Sequence, residues 1–323
     1  MNDEGAALGI SVVMTTYNGS AFIREQMDSI LGQTLLPSEI VVVDDCSTDG
    51  TFEILEDYAK KYPFVKICCN DHNLGAHQNF RKAFSLSSYP LVAPSDQDDI
   101  WRPDKLLVLR NLLLETDSDL VYSQEEVLME DGRKVLSVEE MPDIKRLMWG
   151  NNLKGHTFLF KREALDVFDE VKNLSFDYAL AIKACMSGKY ASSKEPLSVW
   201  RRHEGCCTTA TTTHSELMTS SFSRRKKILY ALSHLNKERS TAIETSFTDR
   251  GKLLAANPKT KRLSNICVNM SKQTYGSMIH ASFINAVACV ERGNIKSRVA
   301  HFLWAMRQPW IFWYDMHLLH ALE

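Results

Sequence analysis

Three carboxylates fall within four residues in the stretch Ser95-Asp96-Gln97-Asp98-Asp99. Such neighbours repel one another unless a cation or hydrogen-bond donors compensate. Hard cations such as Mg2+ or Mn2+ take few protein carboxylates and complete their shells with phosphate oxygens. An Asp-x-Asp turn therefore suits a metal that bridges the protein to a diphosphate. The same turn could equally cap a helix that begins around Pro103. A second acidic pair, Asp44-Asp45, follows the apolar run Val41-Val42-Val43. A carboxylate at such a strand end can accept from a nucleobase N–H or a ribose hydroxyl. It could also cap the next helix, although Asp49 or Ser47 is better placed for that. No G-x-G-x-x-G follows the first strand and no G-x-x-x-x-G-K-[ST] is present, which argues against a dinucleotide oxidoreductase and a P-loop NTPase.

Alternating strand and helix signals must position these groups. Ile10–Met14 is β-branched and apolar and runs into Thr15-Thr16-Tyr17-Asn18-Gly19. A helical stripe of Phe22, Ile23, Met27, Ile30 and Leu31 predicts a helix over roughly 20–31. Glu39–Val43 reads as the second strand, 51–62 as the second helix, Val65–Cys69 as the third strand, 76–86 as the third helix and Leu91–Pro94 as the fourth strand. Strands separated by helices of this length predict βαβ units and a parallel sheet. Ligands sit beyond the carboxyl ends of such strands, where Thr15–Asn18, Asp44–Asp49 and Ser95–Asp99 all fall. Further on, 105–114 reads as helix, Leu120–Tyr122 and Thr157–Phe160 as strands, 162–168 and 177–186 as helices, and Leu197–Trp200 as strand. From about Ser215 the pattern becomes helices with basic linkers.

The 323 residues, 44% hydrophobic and 24% charged, form an ordinary globular composition that predicts two domains. The expected division is a catalytic part over 1–215, with its donor side in 1–105 and acceptor side in 106–215, and a helical region over 216–323. Charge is uneven: residues 1–143 hold 11 Lys/Arg against 26 Asp/Glu, and residues 216–272 hold 12 against 4. The acidic half fits a metal site. The basic segment fits an anionic membrane surface, a phosphate-rich partner or a solvated helix face. No signal-peptide pattern and no run of eighteen apolar residues is present, and the eight cysteines form no C-x-x-C pair. The expected compartment is the cytoplasm.

Residues 10–105 resemble an inverting family-two glycosyltransferase of the GT-A nucleotide-diphospho-sugar fold. The resemblance rests on Ser11-Val12-Val13-Met14-Thr15-Thr16-Tyr17-Asn18, on Glu39 through Thr51, on Asn73-Leu74-Gly75 and on Ser95 through Asp99. Asn79-Phe80 and Asp98-Asp99-Ile100-Trp101 are further similar to a bacterial rhamnosyltransferase-like subgroup that builds surface polysaccharides. The resemblance implies an α/β fold with a C-terminal helical extension and a Mg2+ or Mn2+ cofactor. It implies a nucleotide-diphospho-sugar donor, for the subgroup one such as dTDP-rhamnose, and a glycan or lipid-linked sugar acceptor. Nucleic acid is not an expected partner, and oligomeric state is left open.

By the same resemblance Thr15, Tyr17, Asn18 and Asp45 would serve the nucleoside side, Asp96 the ribose or donor sugar, and Asp98 the metal. Asp177, in Phe176-Asp177-Tyr178-Ala179-Leu180, would be the catalytic base, the alternative being an N-cap after Ser175. Trp200-Arg201-Arg202-His203 keeps the Arg and His of a family Tyr-Arg-x-His. His203 is then a metal or diphosphate partner, or else a surface His, and Arg201 or Arg202 would support the leaving group. Gly155-His156-Thr157 falls near the acceptor side. One base with no covalent carboxylate implies single displacement with inversion. A nucleotidyltransferase and a non-catalytic nucleotide-sugar-binding subunit are the competing readings. Arg224 through Leu235 and the aromatic cluster from Phe302 to Tyr314 predict peripheral membrane contact at the inner face, or packing onto the catalytic domain or a partner.

Overall fold

The computed structural model describes residues 8–129, 131–141, 143–203, 241–289, Met306, Pro309 and Trp310. In chain order they form β1 (Ile10–Thr16), α1 (Ile23–Leu31), β2 (Glu39–Asp44), α2 (Thr51–Lys61), β3 (Val65–Cys69), α3 (Ala76–Leu86), β4 (Leu91–Ser95), β5 (Ile100–Trp101), α4 (Lys105–Glu115), β6 (Leu120–Leu128), β7 (Lys134–Ser137), α5 (Ile144–Leu147), β8 (Phe158–Lys161), α6 (Val167–Glu170), α7 (Phe176–Ser187) and β9 (Tyr190–Arg201). Three further helices follow: α8 (Thr241–Ala255), α9 (Lys261–Lys272) and α10 (Tyr275–Cys289).

Among the described residues the strands form one mixed sheet in the order β3-β2-β1-β4-β8-β6-β9-β5, with β7 paired to β6. β1 lies parallel to both β2 and β4, with Thr16 opposite Asp44 and Met14 opposite Ser95. The chain winds outward from β1 through β2 to β3, then returns to the other side of β1 as β4. That reversal opens a crevice beyond the carboxyl ends of β1 and β4, and the sequence places Thr15–Asn18 and Asp96–Asp99 there.

Both faces of the parallel part are covered, which is why β1 and β2 read as unbroken apolar runs. On one face Val12, Met14, Ile40 and Val42 pack with Ile23, Met27 and Ile30 of α1 and Leu55 of α2, all buried. Elsewhere Phe84 of α3 meets Phe160 of β8 and Phe168 at centroid distances of 6.0 and 5.8 Å.

The chain divides into two compact units. The sheet unit comprises 1–143, 151–168 and 175–203; the other comprises 144–150, 169–174 and 204–323. In the second unit, Ile243, Phe247 and Leu254 of α8, Leu263, Ile266 and Met270 of α9, and Met278 of α10 are buried. Asp249 accepts from the backbone N–H groups of Lys172 and Asn173, and Arg250 donates to the Met148 carbonyl at 2.8 Å. The expected boundary at 215/216 and the basic stretch from Arg224 to Leu235 lie outside the described residues. Of the aromatic cluster from 302 to 314, Trp310 is described, and it is buried. No helix among the described residues is long and apolar enough to cross a membrane.

Three elements differ from their sequence reading. α1 begins at Ile23 rather than near Ser20, because the N–H groups of Gly19 and Ser20 are held by Thr51 Oγ1 and Asp49 Oδ2. β6 continues to Leu128 through the polar run Ser123-Gln124-Glu125-Glu126, because that half pairs with both β7 and β9. β9 starts at Tyr190, seven residues before its apolar core at Leu197.

Candidate active site

The loop after β1 is laced to both neighbouring strand ends. Asn18 has φ 47°, a left-handed conformation that Asn tolerates better than most residues. Its N–H donates to Ser47 Oγ at 2.9 Å and its Oδ1 accepts from the Thr48 N–H at 2.9 Å. The Tyr17 N–H donates to Gln97 Oε1, and Gln97 Nε2 donates back to the Tyr17 carbonyl. A Cβ at Gly19 would stand 2.3 Å from Gln97 Oε1, so the Gln97 amide that bridges to Tyr17 would have to shift. Thr15 is half-buried and the Tyr17 side chain is 49% exposed. Of the residues expected at the nucleoside, Asn18 thus commits its side-chain oxygen to the loop, while Tyr17 presents a free ring.

The two carboxylates ending β2 are both buried and both engaged. Asp44 accepts from Thr16 Oγ1 at 2.7 Å and from the Ser47 N–H and Oγ at 2.8 and 2.6 Å. Asp45 Oδ1 accepts from Asn70 Nδ2 at 2.6 Å and the Leu74 N–H at 2.8 Å, and Oδ2 accepts from the Gly75 N–H at 2.8 Å. Asn73-Leu74-Gly75 is therefore a turn whose amides cradle Asp45. Gly75, at φ 78°, provides the left-handed step that aims its N–H.

Beyond β4 the acidic turn spreads its three carboxylates in different directions. Asp98 Oδ2 lies 2.9 Å from His203 Nε2, and the Arg201 Nε–H donates to the Asp98 carbonyl at 3.2 Å. Arg201 also pairs with Glu25 Oε2 at 2.5 Å and stacks on Phe22, whose ring lies 4.4 Å from that of His203. Burial, aided by the Asp96 charge, pushes the Asp98 carboxyl up, while His203 opposes the shift. Asp98, Arg201 and His203, separated by a hundred residues, thus converge at one corner of the crevice.

Asp96 and Asp99 turn inward toward His156. The His156 Nδ1 is 3.1 Å from Asp96 Oδ2 and 3.4 Å from Asp99 Oδ2, and its Nε2 is 2.5 Å from Glu125 Oε2. The buried Lys105 ammonium donates to the His156 carbonyl at 2.6 Å and lies 3.8 Å from the Trp101 ring centroid. Burial alone would lower the His156 pKa, but Asp99, Glu125 and Asp96 outweigh it and hold the ring charged well above its usual range. Burial pushes Asp99 up and Lys105 down. Neither Asp99 oxygen has a hydrogen-bond partner, although the carboxylate is fully buried. Asp96, Asp99 and His156 could also hold a cation, since one ligand atom of each lies within 4.8 Å of the others. The sequence reading placed His156 only near the acceptor side and did not single out Glu125. The signal that could have found Glu125 is its period-two spacing from the buried Val121 and Ser123 along an extended β6.

Asp177 occupies the first turn of α7, half-buried. Its Oδ2 accepts from Asn151 Nδ2 at 3.1 Å. Burial pushes its carboxyl up against opposing hydrogen bonds from Ser175, Tyr178 and Asn151. Phe176 fixes this turn, packing 4.5 Å from the Phe80 ring and 5.2 Å from the Phe84 ring. It also lies so close to Gly155 that a Cβ there would stand 2.2 Å from its ring. Gly155 immediately precedes His156, so one contact couples the start of α7 to the turn that meets Asp96.

Residues 11–168 match the family described as Glycosyl transferase family 2; Asp177, Arg201 and His203 lie beyond that span. The dTDP-rhamnosyl transferase RfbG of Shigella flexneri is 29% identical over 208 residues, covering 59% of this chain and 72% of that protein. The structure is similar to that of S. aureus TarS 1–349 in complex with UDP-GlcNAc, with a TM-score of 0.54 and 17% identity over 87% of this chain and 92% of that one. It is also similar to the mannosyltransferase PcManGT from Pyrobaculum calidifontis in complex with GDP-Man and Mn2+, with a TM-score of 0.50 and 17% identity over 98% and 88% of the two chains. The match to the first curated relatives, mycobacterial proteins 28% identical to this one, spans 59% of their length. With its parallel β3-β2-β1-β4 core and its acidic turn at the switch point, the chain shares the GT-A-like fold of these structures, and its residues 11–168 are similar to glycosyl transferase family 2.

Proposed function

We propose that this chain is a metal-assisted, inverting glycosyltransferase that moves a sugar from a nucleoside-diphosphate donor to a hydroxyl of a glycan or lipid-linked acceptor in polysaccharide synthesis. The observation that carries this reading is the convergence of Asp98, His203 and Arg201 at the crevice between β1 and β4. Asp98 and His203 offer one oxygen and one nitrogen ligand side by side, and both side chains reach solvent, which fits a divalent ion whose remaining positions are filled by diphosphate oxygens. Mg2+ or Mn2+ held there would act as a Lewis acid toward the departing diphosphate.

The chain's own residues do the rest. Thr15 and Tyr17 line the nucleoside end of the crevice, with Asp45 holding the 70–75 turn beside them. Asp96, whose side chain is 43% exposed, turns its free oxygen to the ribose or sugar. Arg201, held by Glu25, adds fixed positive charge where negative charge develops. Asp177 takes the proton of the acceptor hydroxyl. As that oxygen bonds to the anomeric carbon, the carbon–oxygen bond to the diphosphate breaks with its electron pair, inverting the centre. A raised carboxyl pKa suits Asp177 to this task. A rhamnosyl donor draws support from the likeness to RfbG.

Incubation with UDP-, GDP- and dTDP-sugars and Mn2+, without acceptor, tests the proposal. The expected result is slow release of one nucleoside diphosphate that stops when Mn2+ is chelated. Binding without release under every condition favours the non-catalytic binding subunit.

A further inference from the structure

We propose that His156 is a positioning residue that aims the Asp96 carboxylate into the donor crevice, and that Glu125 anchors it from the sheet. The inference rests on the donor-binding role proposed for Asp96. His156 is 4% exposed and is held from both ends. Its Nε2 is fixed at 2.5 Å from Glu125 Oε2 on β6, and its Nδ1 lies 3.1 Å from Asp96 Oδ2. An imidazole ring is rigid, so a ring held on a central strand fixes the direction of its opposite nitrogen. One Asp96 oxygen is thereby tied to the interior, and the other is left at the open side of the turn. The 3.4 Å approach of Nδ1 to Asp99 Oδ2 and the Lys105 hydrogen bond to the His156 carbonyl brace the same ring.

The charges favour this over a buried metal. Three carboxylates, those of Asp96, Asp99 and Glu125, surround the His156 ring, and the Lys105 ammonium closes the cluster from the His156 carbonyl. Both ring nitrogens already face carboxylates. Without His156, Asp96 would be free to swing between crevice and interior. Loss of a hydrogen-bond partner that orients a metal-ligating side chain costs about 10- to 100-fold in affinity or activity, and the same scale is expected for a partner that orients a donor-binding carboxylate.

The test uses the full chain with variants His156→Gln, Glu125→Gln, Asp96→Asn and the double variant His156→Gln/Asp96→Asn. Binding of UDP, GDP and dTDP in the presence of Mn2+ is measured by calorimetry, melting temperature by scanning fluorimetry, and backbone amide exchange by mass spectrometry. The expected result is a fall of about tenfold or more in affinity for the preferred nucleotide in His156→Gln, and a smaller fall in Glu125→Gln. Exchange should accelerate over residues 95–101 and stay unchanged in β1–β3. The double variant should bind no more weakly than Asp96→Asn alone, although the two losses of melting temperature add. With a donor sugar, KM should rise more than kcat falls.

Unchanged affinity in a folded His156→Gln or Glu125→Gln variant overturns the proposal, as do affinity losses that multiply in the double variant. If Mn2+ alone binds wild type and Asp98→Asn but not His156→Gln, the ring is a metal ligand and the proposal also falls. Should wild type bind none of the three nucleotides, the donor reading fails on its own account. Amide exchange over 95–101 then still decides whether His156 pins the turn.

Discussion

The Asp98 carboxylate and the His203 ring meet at 2.9 Å across 105 positions of sequence. The short antiparallel pairing of β5 with β9 brings this about: Ile100 stands opposite Val199 and Trp101 opposite Ser198. Continuing that ladder by two places puts Arg201 beside Asp98, where its Nε–H finds the Asp98 carbonyl, and delivers His203 to the carboxylate. A two-residue strand thus closes the corner of the crevice where a metal is proposed to sit.

Replacing either partner should break that corner. Asp98→Asn and His203→Ala should each abolish the Mn2+-dependent part of nucleotide binding and reduce turnover by at least about 100-fold, the usual scale for losing an electrostatic stabiliser. Thermal shift with UDP, GDP or dTDP, with and without Mn2+, reads the binding term directly. Full activity in Asp98→Asn would remove this residue from the reaction.

Asp45 is expected to act on the fold as much as on the nucleoside. Asp45→Asn keeps one acceptor but turns an amide NH2 toward an N–H of Leu74 or Gly75. A buried donor left unsatisfied costs about 1–3 kcal/mol, so the urea midpoint should fall accordingly, with the m-value unchanged. Weaker nucleotide binding at unchanged stability would instead make the carboxylate a direct ligand contact.

Much of this site is legible in the sequence because its parts sit at strand ends. The apolar runs of β1, β2 and β4 announce a parallel sheet, and the polar residues that stop them, Thr15, Asp45 and Asp96, must gather along one edge. The interior of the cluster is hidden for the opposite reason. Glu125 lies in a polar stretch that single-chain periodicity reads as loop, and it becomes strand only because β7 and β9 pair on either side. Lys105 opens the helix read over 105–114 with nothing in the sequence to mark it as interior, yet it is fully buried against Trp101 and the His156 carbonyl. Partners sixty residues apart leave no spacing signal.

Gly155 should prove as sensitive as any polar residue near it. In Gly155→Ala the new methyl would stand 2.2 Å from the Phe176 ring. Phe176 cannot retreat easily, since Phe80 and Phe84 pack against it. Overpacking of this kind costs about 1–3 kcal/mol. Because the displaced turn carries Asp177, kcat should fall more than the loss of folded protein explains. Companion variants Phe176→Leu and Gly155→Ala/Phe176→Leu separate the two effects: the smaller side chain should restore much of the stability lost to the alanine. A double variant no more stable than Gly155→Ala alone would show that the clash lies elsewhere.

The pH profile of turnover should report Asp177. A general base works only when deprotonated, so kcat must fall as pH drops through its pKa in the donor complex. Burial pushes this carboxyl up, so the acidic limb should lie above the ordinary Asp value of about 3.9. Asn151 donates to Asp177 Oδ2 at 3.1 Å and opposes the shift. Asn151→Ala should therefore move the limb to still higher pH while leaving the plateau rate within a few-fold, as expected for a change in proton affinity alone. Asp177→Asn should remove the limb and cut kcat by about 100- to 10,000-fold, the range for loss of a general base, with affinity for nucleoside diphosphate and Mn2+ nearly unchanged. If donor affinity collapses together with kcat, Asp177 belongs to the donor site or to the scaffold. If the limb persists in Asp177→Asn, another group takes the proton.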